Sequence, residues 1–490
     1  MRPTFHLKPL VVVAAALSVA SISHGAGLDR SGQDITAFLQ DGLYAEASYT
    51  YIDADVSGYD SANNNPNSNS YVKGKKIGDI AESYDFFRYG VKADINDTFS
   101  VGILYDEPFG AAADYTGDNN FVAKGDLNGS IIKLTGGQFN GATIGAEITR
   151  LTEIATDTTI TPQERAAAAA GATSLSTAVG IARAEASTAG EGTNVEVRSE
   201  NITAILGAKF GANKQFQVYG GPVAQRLQAD VKLRGLAYGP ASGYTAHVSP
   251  DQDYGWLAGV SYSKPEIALK AALTYRSEID HNAKISENYP LVGIAAVGRL
   301  PAGASQAEIA AAAAAANRNS VFEVTTPKSV NFDFQTGINP TMLATAKVRW
   351  VPWSDFAIVP PLYNDVSKNN VAYRPDGLAL VGYDDDQWQV ELGLAKRLSP
   401  ALALSGTVGW DSGAGDPTTS LGPVDGYYSA GLGAKYNLTE NWAVSAGGKY
   451  LWFGDAKGQL PTKKIVGDFQ DNDGYILGVK LSYQAKQNFN

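Results

Sequence analysis

The side chains that could do chemistry are few, and their types point to binding rather than bond-making. Beyond an amino-terminal stretch that reads as cleavable, the histidines are His247 and His281. Both fall in segments that read as loops, with no carboxylate at ligand spacing, so exposed histidines and no metal site are expected. Cysteine is absent, and neither a Gly-x-Ser-x-Gly nucleophile elbow nor a phosphate-binding loop occurs. No enzyme and no cofactor is expected. Asp384-Asp385-Asp386 and the trio Asp468, Asp471 and Asp473 could gather divalent cations among surface lipopolysaccharide, or simply form solvated rims. The cations inside alternating runs say more. Lys270 and Arg276 share one parity, as do Lys347 and Arg349, so each pair lies on one face of a strand, the inner face in the reading below. Arg226 joins them if the chain bulges near Pro222. In a low-dielectric interior such groups could grip a carboxylate by charge-assisted hydrogen bonds, or pair with inward acids such as Glu391. Phe38, Leu39, Leu104 and Phe109 are the apolar candidates for the same site.

The first residues set the compartment. Arg2 and Lys8 precede an apolar run from Leu10 to Val19, and Ser21, Ser23, Gly25 and Ala26 follow. A basic region, a short apolar core and small residues make a secretory signal, cleaved after Gly25 or Ala26. Taking Arg2 and Lys8 from the 39 basic residues leaves 37 against 50 acidic ones, a formal charge of −13. That balance argues against a nucleic-acid partner. An exported chain of 490 residues with 25 Tyr, 52 Gly and no Cys has the composition of bacterial exported β-structure.

Period-two alternation recurs down the chain. Trp442, Val444, Ala446, Gly448 and Tyr450 alternate with Ala443, Ser445, Gly447 and Lys449. Tyr428 to Tyr436 and Tyr475 to Tyr483 repeat the pattern, one face apolar and ending in aromatics, the other small or polar. Short turns recur at Asn96-Asp97, Ala212-Asn213-Lys214, Ser263-Lys264-Pro265, Asn339-Pro340, Ser399-Pro400 and Thr439-Glu440-Asn441. The opposite strand ends meet long polar segments near 57–84, 112–197, 234–252, 280–321, 353–380, 411–425 and 454–470. Six turns and seven loops predict an all-β, fourteen-stranded antiparallel transmembrane barrel. Its strands start near 43, 85, 98, 198, 215, 253, 266, 322, 341, 382, 401, 426, 441 and 471. Thr161-Pro162-Gln163-Glu164 and Ser305-Gln306-Ala307-Glu308 are capping boxes leading into alanine runs, so short surface helices are expected in two loops. Residues 26–42 lack alternation and read either as a disordered leader or as a plug in the lumen.

The chain resembles the outer-membrane transporters of long-chain fatty acids and hydrocarbons, the FadL/TodX type, over nearly its whole mature length. The resemblance rests on Gly27-Leu28-Asp29-Arg30-Ser31-Gly32-Gln33, Tyr105-Asp106-Glu107-Pro108-Phe109-Gly110-Ala111, Thr326-Pro327-Lys328-Ser329-Val330-Asn331, Phe334-Gln335-Thr336-Gly337, Val348-Arg349-Trp350-Val351-Pro352-Trp353-Ser354 and Asp471-Asn472-Asp473. It implies a signal at 1–25, an N-terminal hatch at 26–42 and a barrel over 43–490. It also implies a kinked third strand, with Pro108 and Gly110 at the kink and a lateral opening beside it; alternatively Pro108 merely ends the strand. The implied function is passive outer-membrane transport of long-chain fatty acids or similar hydrophobic molecules by a monomer amid membrane lipid and lipopolysaccharide. The rival readings are a general diffusion porin and a surface adhesin or structural barrel. Two departures stand out: the hatch lacks an Asn-Pro-Ala stretch, and the chain ends Gln487-Asn488-Phe489-Asn490 rather than on an aromatic.

Overall fold

The computed structural model describes residues 27–65, 68–301 and 303–486; the expected signal and the Phe489 tail lie outside them. The alternating runs close into one sheet of fourteen strands: β1 (Leu43–Asp55), β2 (Tyr84–Asp94), β3 (Phe99–Asp106, resumed at Gly110–Asp114), β4 (Asn194–Phe210), β5 (Phe216–Lys232), β6 (Thr245–Lys264), β7 (Leu269–Arg276, resumed at Ile279–Asn288), β8 (Asn317–Thr326, resumed at Ser329–Asn339), β9 (Met342–Val351), β10 (Gln387–Arg397), β11 (Leu402–Asp411), β12 (Tyr427–Asn437), β13 (Trp442–Phe453) and β14 (Asp473–Ala485). Each pairs antiparallel with its neighbour in sequence, and β14 returns to β1 from Leu43↔Ala485 to Asp55↔Asp473. Closure leaves no edge, the condition for a sheet surrounded by hydrocarbon.

The two faces divide as the alternation requires. Val444, Leu477, Val479, Leu481, Leu432 and Leu392 point outward and are exposed, whereas Ser445, Lys449, Lys480, Ser482 and Ser429 point inward and are buried. Exposed aromatics gather at both strand ends. Trp388, Trp410, Trp452 and Trp256 mark the loop side, and Phe99, Phe210, Phe216 and Trp442 the turn side, matching the aromatic belts of a membrane-spanning barrel.

Strand starts agree with expectation within a few residues except at β6, which begins at Thr245 rather than near 253. Ser249-Pro250 reads as a break but is a bulge within the strand: Leu227 faces Asp251 while Ala229 faces Val248, one residue being inserted in β6. The bulge expected at Gly220-Gly221-Pro222 does not form. Tyr219, Val223, Gln225 and Leu227 keep one buried parity through it, so Arg226 faces outward and is exposed. Its expected place in a lumenal site is thereby overturned.

The long loops build a cap over one end. Residues between β3 and β4 form three helices, α1 (Leu127–Leu134), α2 (Ile144–Thr156) and α3 (Pro162–Ala186), around a small core of Ile131, Leu134, Ile144 and Ile181. Both capping boxes form, at Thr161/Glu164 and at Ser305/Glu308, but α3 runs for 25 residues and is not short. Helices α4 (Pro290–Gly298), α5 (Gln306–Ala313) and α6 (Pro361–Ser367) follow in later loops. Segments Gly58–Ser61, Lys73–Ile77, Thr418–Thr419, Ala456–Gln459 and Ile465–Phe469 join in an outer five-stranded sheet. Beneath the cap, Tyr115, Phe121, Tyr238, Tyr244, Tyr289, Tyr363 and Trp353 belong to one buried apolar cluster.

Candidate functional site

Residues 27–42 run inside the barrel, with Asp29, Ser31, Ile35, Ala37 and Phe38 all buried. Their position follows from a defect in the wall. β2 and β3 pair from Asp94↔Ser100 up to Tyr89↔Tyr105 and then part. Glu107-Pro108-Phe109 leaves the sheet, since Pro108 has no N–H to donate to a ladder. The two segments meet again at an isolated bridge, Ala81↔Ala113.

The N-terminal segment patches this gap. Arg30 N–H donates to the Pro108 carbonyl and Gly110 N–H to the Leu28 carbonyl, both at 2.8 Å, making an antiparallel bridge between Asp29 and Phe109. The Arg30 guanidinium lies against Gly110, where an added Cβ would stand 2.4 Å from Cζ, and it stacks 3.8 Å over the Tyr84 ring. Glycine at 110 is what leaves room for that cation. Phe109 turns inward: its N–H donates to Ser199 Oγ at 2.8 Å and its carbonyl accepts from the same hydroxyl at 2.7 Å. Its ring meets Trp353 edge-on at 5.7 Å.

Charges lock the segment to the opposite wall. Arg349 forms a bidentate pair with Asp29, Nε to Oδ2 at 2.7 Å and Nη2 to Oδ1 at 2.9 Å, with the Asp29 side chain fully buried. Lys347 donates to Asp34 at 2.7 Å, Lys270 donates to the Leu39 carbonyl, and Ser31 donates to Asp106 at 2.8 Å. Burial pushes the Asp34 carboxyl up, but Lys347 and Arg88 outweigh it and hold the group well below the usual carboxylate range. The apolar end of the segment meets a wall built flat for it. A Cβ at Gly102 would stand 2.7 Å from the Phe38 ring, one at Gly207 2.9 Å from it, and one at Gly90 2.8 Å from Ala37. Phe38 packs at 5.7 Å on Tyr219, and Leu39, Leu104, Ile205, Val223, Leu257 and Ile279 complete that cluster.

The lumen therefore has two halves. From β3 to β7 the wall meets the segment with the apolar side chains of that cluster, set among neutral polar groups such as Thr203, Gln217 and Gln225 and the charged Asp106, Lys270 and Arg276. From β8 round to β2 it carries paired charges, including Lys449 with Glu391 and Lys480 with Glu46 at 3.4 Å. A small polar cavity remains between the segment and this second half, lined by Ser31, Asp34, Asn331, Asp333, Lys347 and Glu391 among others.

Residues 172–485 match the sequence pattern of the family described as "Outer membrane protein transport protein (OMPP1/FadL/TodX)". The chain belongs to this family. Family and barrel together indicate an outer-membrane protein of the hydrophobic-substrate channel class. Among solved structures, this FadL/TodX barrel is similar to a Pseudomonas aeruginosa FadL homologue at 12% identity and TM-score 0.57, covering 95% of this chain and 96% of that one. It is also similar to the Pseudomonas putida toluene transporter TodX at 9% identity and TM-score 0.50, covering 95% and 96%. At such identities the likeness speaks for the fold alone. Among curated proteins no sequence matches.

In this FadL/TodX barrel the expected binding residues divide by partner. Phe38, Leu39 and Leu104 meet in the apolar half, while Phe109 stands apart with Trp353. Lys347, Arg349 and Lys270 contact the N-terminal segment rather than an open lumen. Arg276 differs. It is buried, and among the described residues its one hydrogen bond is a long 3.4 Å contact from Nη1 to Thr203, while its Nε has no partner. Asp386 is spent on Trp350 and Ser354 and Asp384 on Lys463, so the first aspartate run is a bonded rim. The histidines do not lie in loops. His247 is on β6, exposed and paired with Asp230 at 2.7 Å; His281 is on β7, fully buried, with Asp251 at 3.2 Å. Parity could have identified Arg88 and Glu46 as inward, since both share a face with the buried side chains of their strands. Arg30 and Asp29 had no periodic signal, because their environment is built by the kink of another element.

Proposed function

We propose that this barrel passes long-chain fatty acids or similar hydrophobic small molecules across the outer membrane by passive diffusion. In this reading residues 26–42 are the hatch, and the residues before them are an export signal removed from the mature chain. The observation that carries the proposal is the β3 break with backbone of the N-terminal segment bonded into it, so that the wall is completed there by that segment rather than by its own sheet. An apolar ligand would collect in the aromatic cluster under the cap, gaining ~25 cal/mol per Å² taken out of water. Withdrawal of the hatch would bare Leu104 and its apolar neighbours, and the ligand would leave sideways between β2 and β3, beside the kink at Pro108 and Gly110. Arg276, short of partners, would take the carboxylate of an acidic ligand. Lys270, Lys347 and Arg349 would then serve the hatch rather than the ligand. The barrel would work as a monomer in outer-membrane lipid and lipopolysaccharide.

The charged half of the lumen is the feature that favours a diffusion porin instead. Most of its charges, however, are paired with one another or with the hatch, as in Lys449 with Glu391, Lys480 with Glu46 and Lys347 with Asp34. Binding of a labelled long-chain fatty acid to detergent-purified protein decides between the readings. Saturable binding, weakened in Phe109→Asp, supports transport of hydrophobic ligands. Absence of binding together with steady ion conductance in planar bilayers leaves a porin.

A further inference from the structure

The wall has a second seam, between β6 and β7. These strands pair from Leu269↔Lys264 to Arg276↔Leu257 and again from Ile285↔Val248 to Asn288↔Thr245. Between the two ladders, residues 249–256 and 277–284 form no ladder pair, although the register is the same on both sides. At its edge Ser277 N–H donates to the Trp256 carbonyl at 2.9 Å and Trp256 N–H to the Ser277 hydroxyl at 3.0 Å; beyond them, side chains cross the seam. The Ser249-Pro250 bulge reverses the parity of β6, so Asp251 and Asp253 face inward where Ala246 and Val248 face inward before it. From the other strand His281 projects between them.

We propose that Asp251, Asp253 and His281 form a binding site for a divalent metal ion of the zinc type. Three features of the cluster carry this. One carboxylate oxygen from each aspartate and a ring nitrogen of His281 all lie within 4.8 Å of one another, so a small inward turn of the aspartate side chains brings all three to the ~2.0–2.2 Å ligand distance of one ion. The charge is not balanced otherwise: among the described residues the ion-pair partner of Asp251 is His281 itself, and Asp253 has none. The nearest arginine in sequence register, Arg226 on β5, points away to the outside. Lastly, the imidazole is held from behind. Its Nε2 lies 3.0 Å from Gln225 Oε1, that oxygen accepts from Thr326 at 2.6 Å, and the Gln225 amide donates to Asn201 at 2.9 Å. A histidine that hands its far N–H to a fixed carbonyl and turns Nδ1 toward carboxylates has the outer-shell arrangement of a metal ligand. Imidazole with two carboxylates suits zinc better than calcium, which takes six to eight oxygen ligands. The unpaired backbone of the seam and water can supply the fourth position. Such an ion clamps β6 to β7 where the sheet itself does not.

The test uses the full mature barrel in detergent, purified without a polyhistidine tag and stripped with a chelator. Zn²⁺ is titrated by calorimetry, and the heat-induced unfolding of the barrel is followed with and without the ion. The expected result is one equivalent bound per chain with a higher unfolding temperature. His281→Gln should abolish that binding, Gln225→Leu should weaken it by about 10–100-fold, and His247→Gln should leave it unchanged. No stoichiometric zinc binding by the wild-type chain overturns the proposal. So does zinc binding that survives His281→Gln, or binding of Ca²⁺ with zinc excluded. None of these outcomes depends on fatty-acid transport.

Discussion

Breaking the Asp29–Arg349 pair should loosen the hatch by a measurable and bounded amount. In Arg349→Met the Asp29 carboxylate, whose side chain is fully buried, loses both bidentate partners, and Gln33 and Asn331 lose the contacts of Nη1 at 3.2 Å and 2.8 Å. Removing one partner of a buried ion pair costs about 3–5 kcal/mol, chiefly because the other charge is left unpaired. At about 1.4 kcal/mol per decade, that raises the population of undocked hatch by about two to three and a half decades. The chain has no cysteine, so Ala37→Cys supplies a single buried thiol on the hatch. Its labelling by a maleimide in detergent, with reclosing faster than labelling, reports the open fraction. The Arg349→Met background should label at least a hundredfold faster. Adding Asp29→Asn should bring the rate back toward the parent, since the buried charge that drives the opening is gone. A change below tenfold in a barrel that still migrates as folded would refute the assignment of this pair to hatch docking. Additive acceleration in the double variant would refute it equally.

Other perturbations probe other parts of the lumen. Gly207→Val places side-chain atoms where Phe38 and Gln217 Nε2 lie, the latter 2.5 Å from the added Cβ; overpacking of this kind costs about 1–3 kcal/mol and should raise Ala37→Cys labelling while the barrel still assembles. Arg276→Met should weaken binding of a long-chain fatty acid by about tenfold or more, the loss of a charge-assisted bond, and leave binding of a neutral alkane unchanged; equal loss for both would remove Arg276 from headgroup recognition. Asp34 has a depressed folded pKa, so its contribution to docking is complete above its ordinary value of about 3.9 and declines as pH falls below it. Hatch labelling, taken relative to an exposed cysteine at the same pH to remove the loss of thiolate, should therefore rise as pH falls below about 4, and Asp34→Asn should remove that part of the pH dependence.

Where one strand alone decides a side chain's direction, reading was direct. The inward placement of Lys270, Arg276, Lys347 and Arg349 follows from period two, as does the outward apolar face of β12, β13 and β14. What those cations touch was not legible, because Asp29 and Asp34 come from a segment without periodicity, hundreds of residues away. Arg226 was misplaced for a related reason. Gly220-Gly221-Pro222 carries the residues of a bulge, yet the strand passes through it in register, while the real insertion sits across the ladder at Ser249-Pro250. A bulge is a property of two strands, and only one of them is seen at a time in sequence. His281 was assigned to a loop because β7 continues past its own break at Ser277-Glu278 with reversed parity. Separation along the chain also hid Asp251 and Asp253, which reach His281 only through pairing of β6 with β7.

The three breaks each fall beside outward aromatic side chains, and the reason is energetic. β3 departs just after Tyr105, which packs on Tyr89 at 5.7 Å. β7 departs just after Tyr275, which packs on Trp256 at 5.2 Å. β8 resumes at Ser329, one residue before Val330 faces Trp350 of the same aromatic belt. Below that belt every backbone N–H and C=O meets hydrocarbon and must be paired within the sheet, each failure costing several kcal/mol. At the belt and above it, water, loop backbone or the hatch can satisfy the same groups, as Leu28 and Arg30 do for Pro108 and Gly110. Departures from the ladder therefore cost least near the strand ends, where the smaller irregularity at Gly337–Asn339 of β8 also lies.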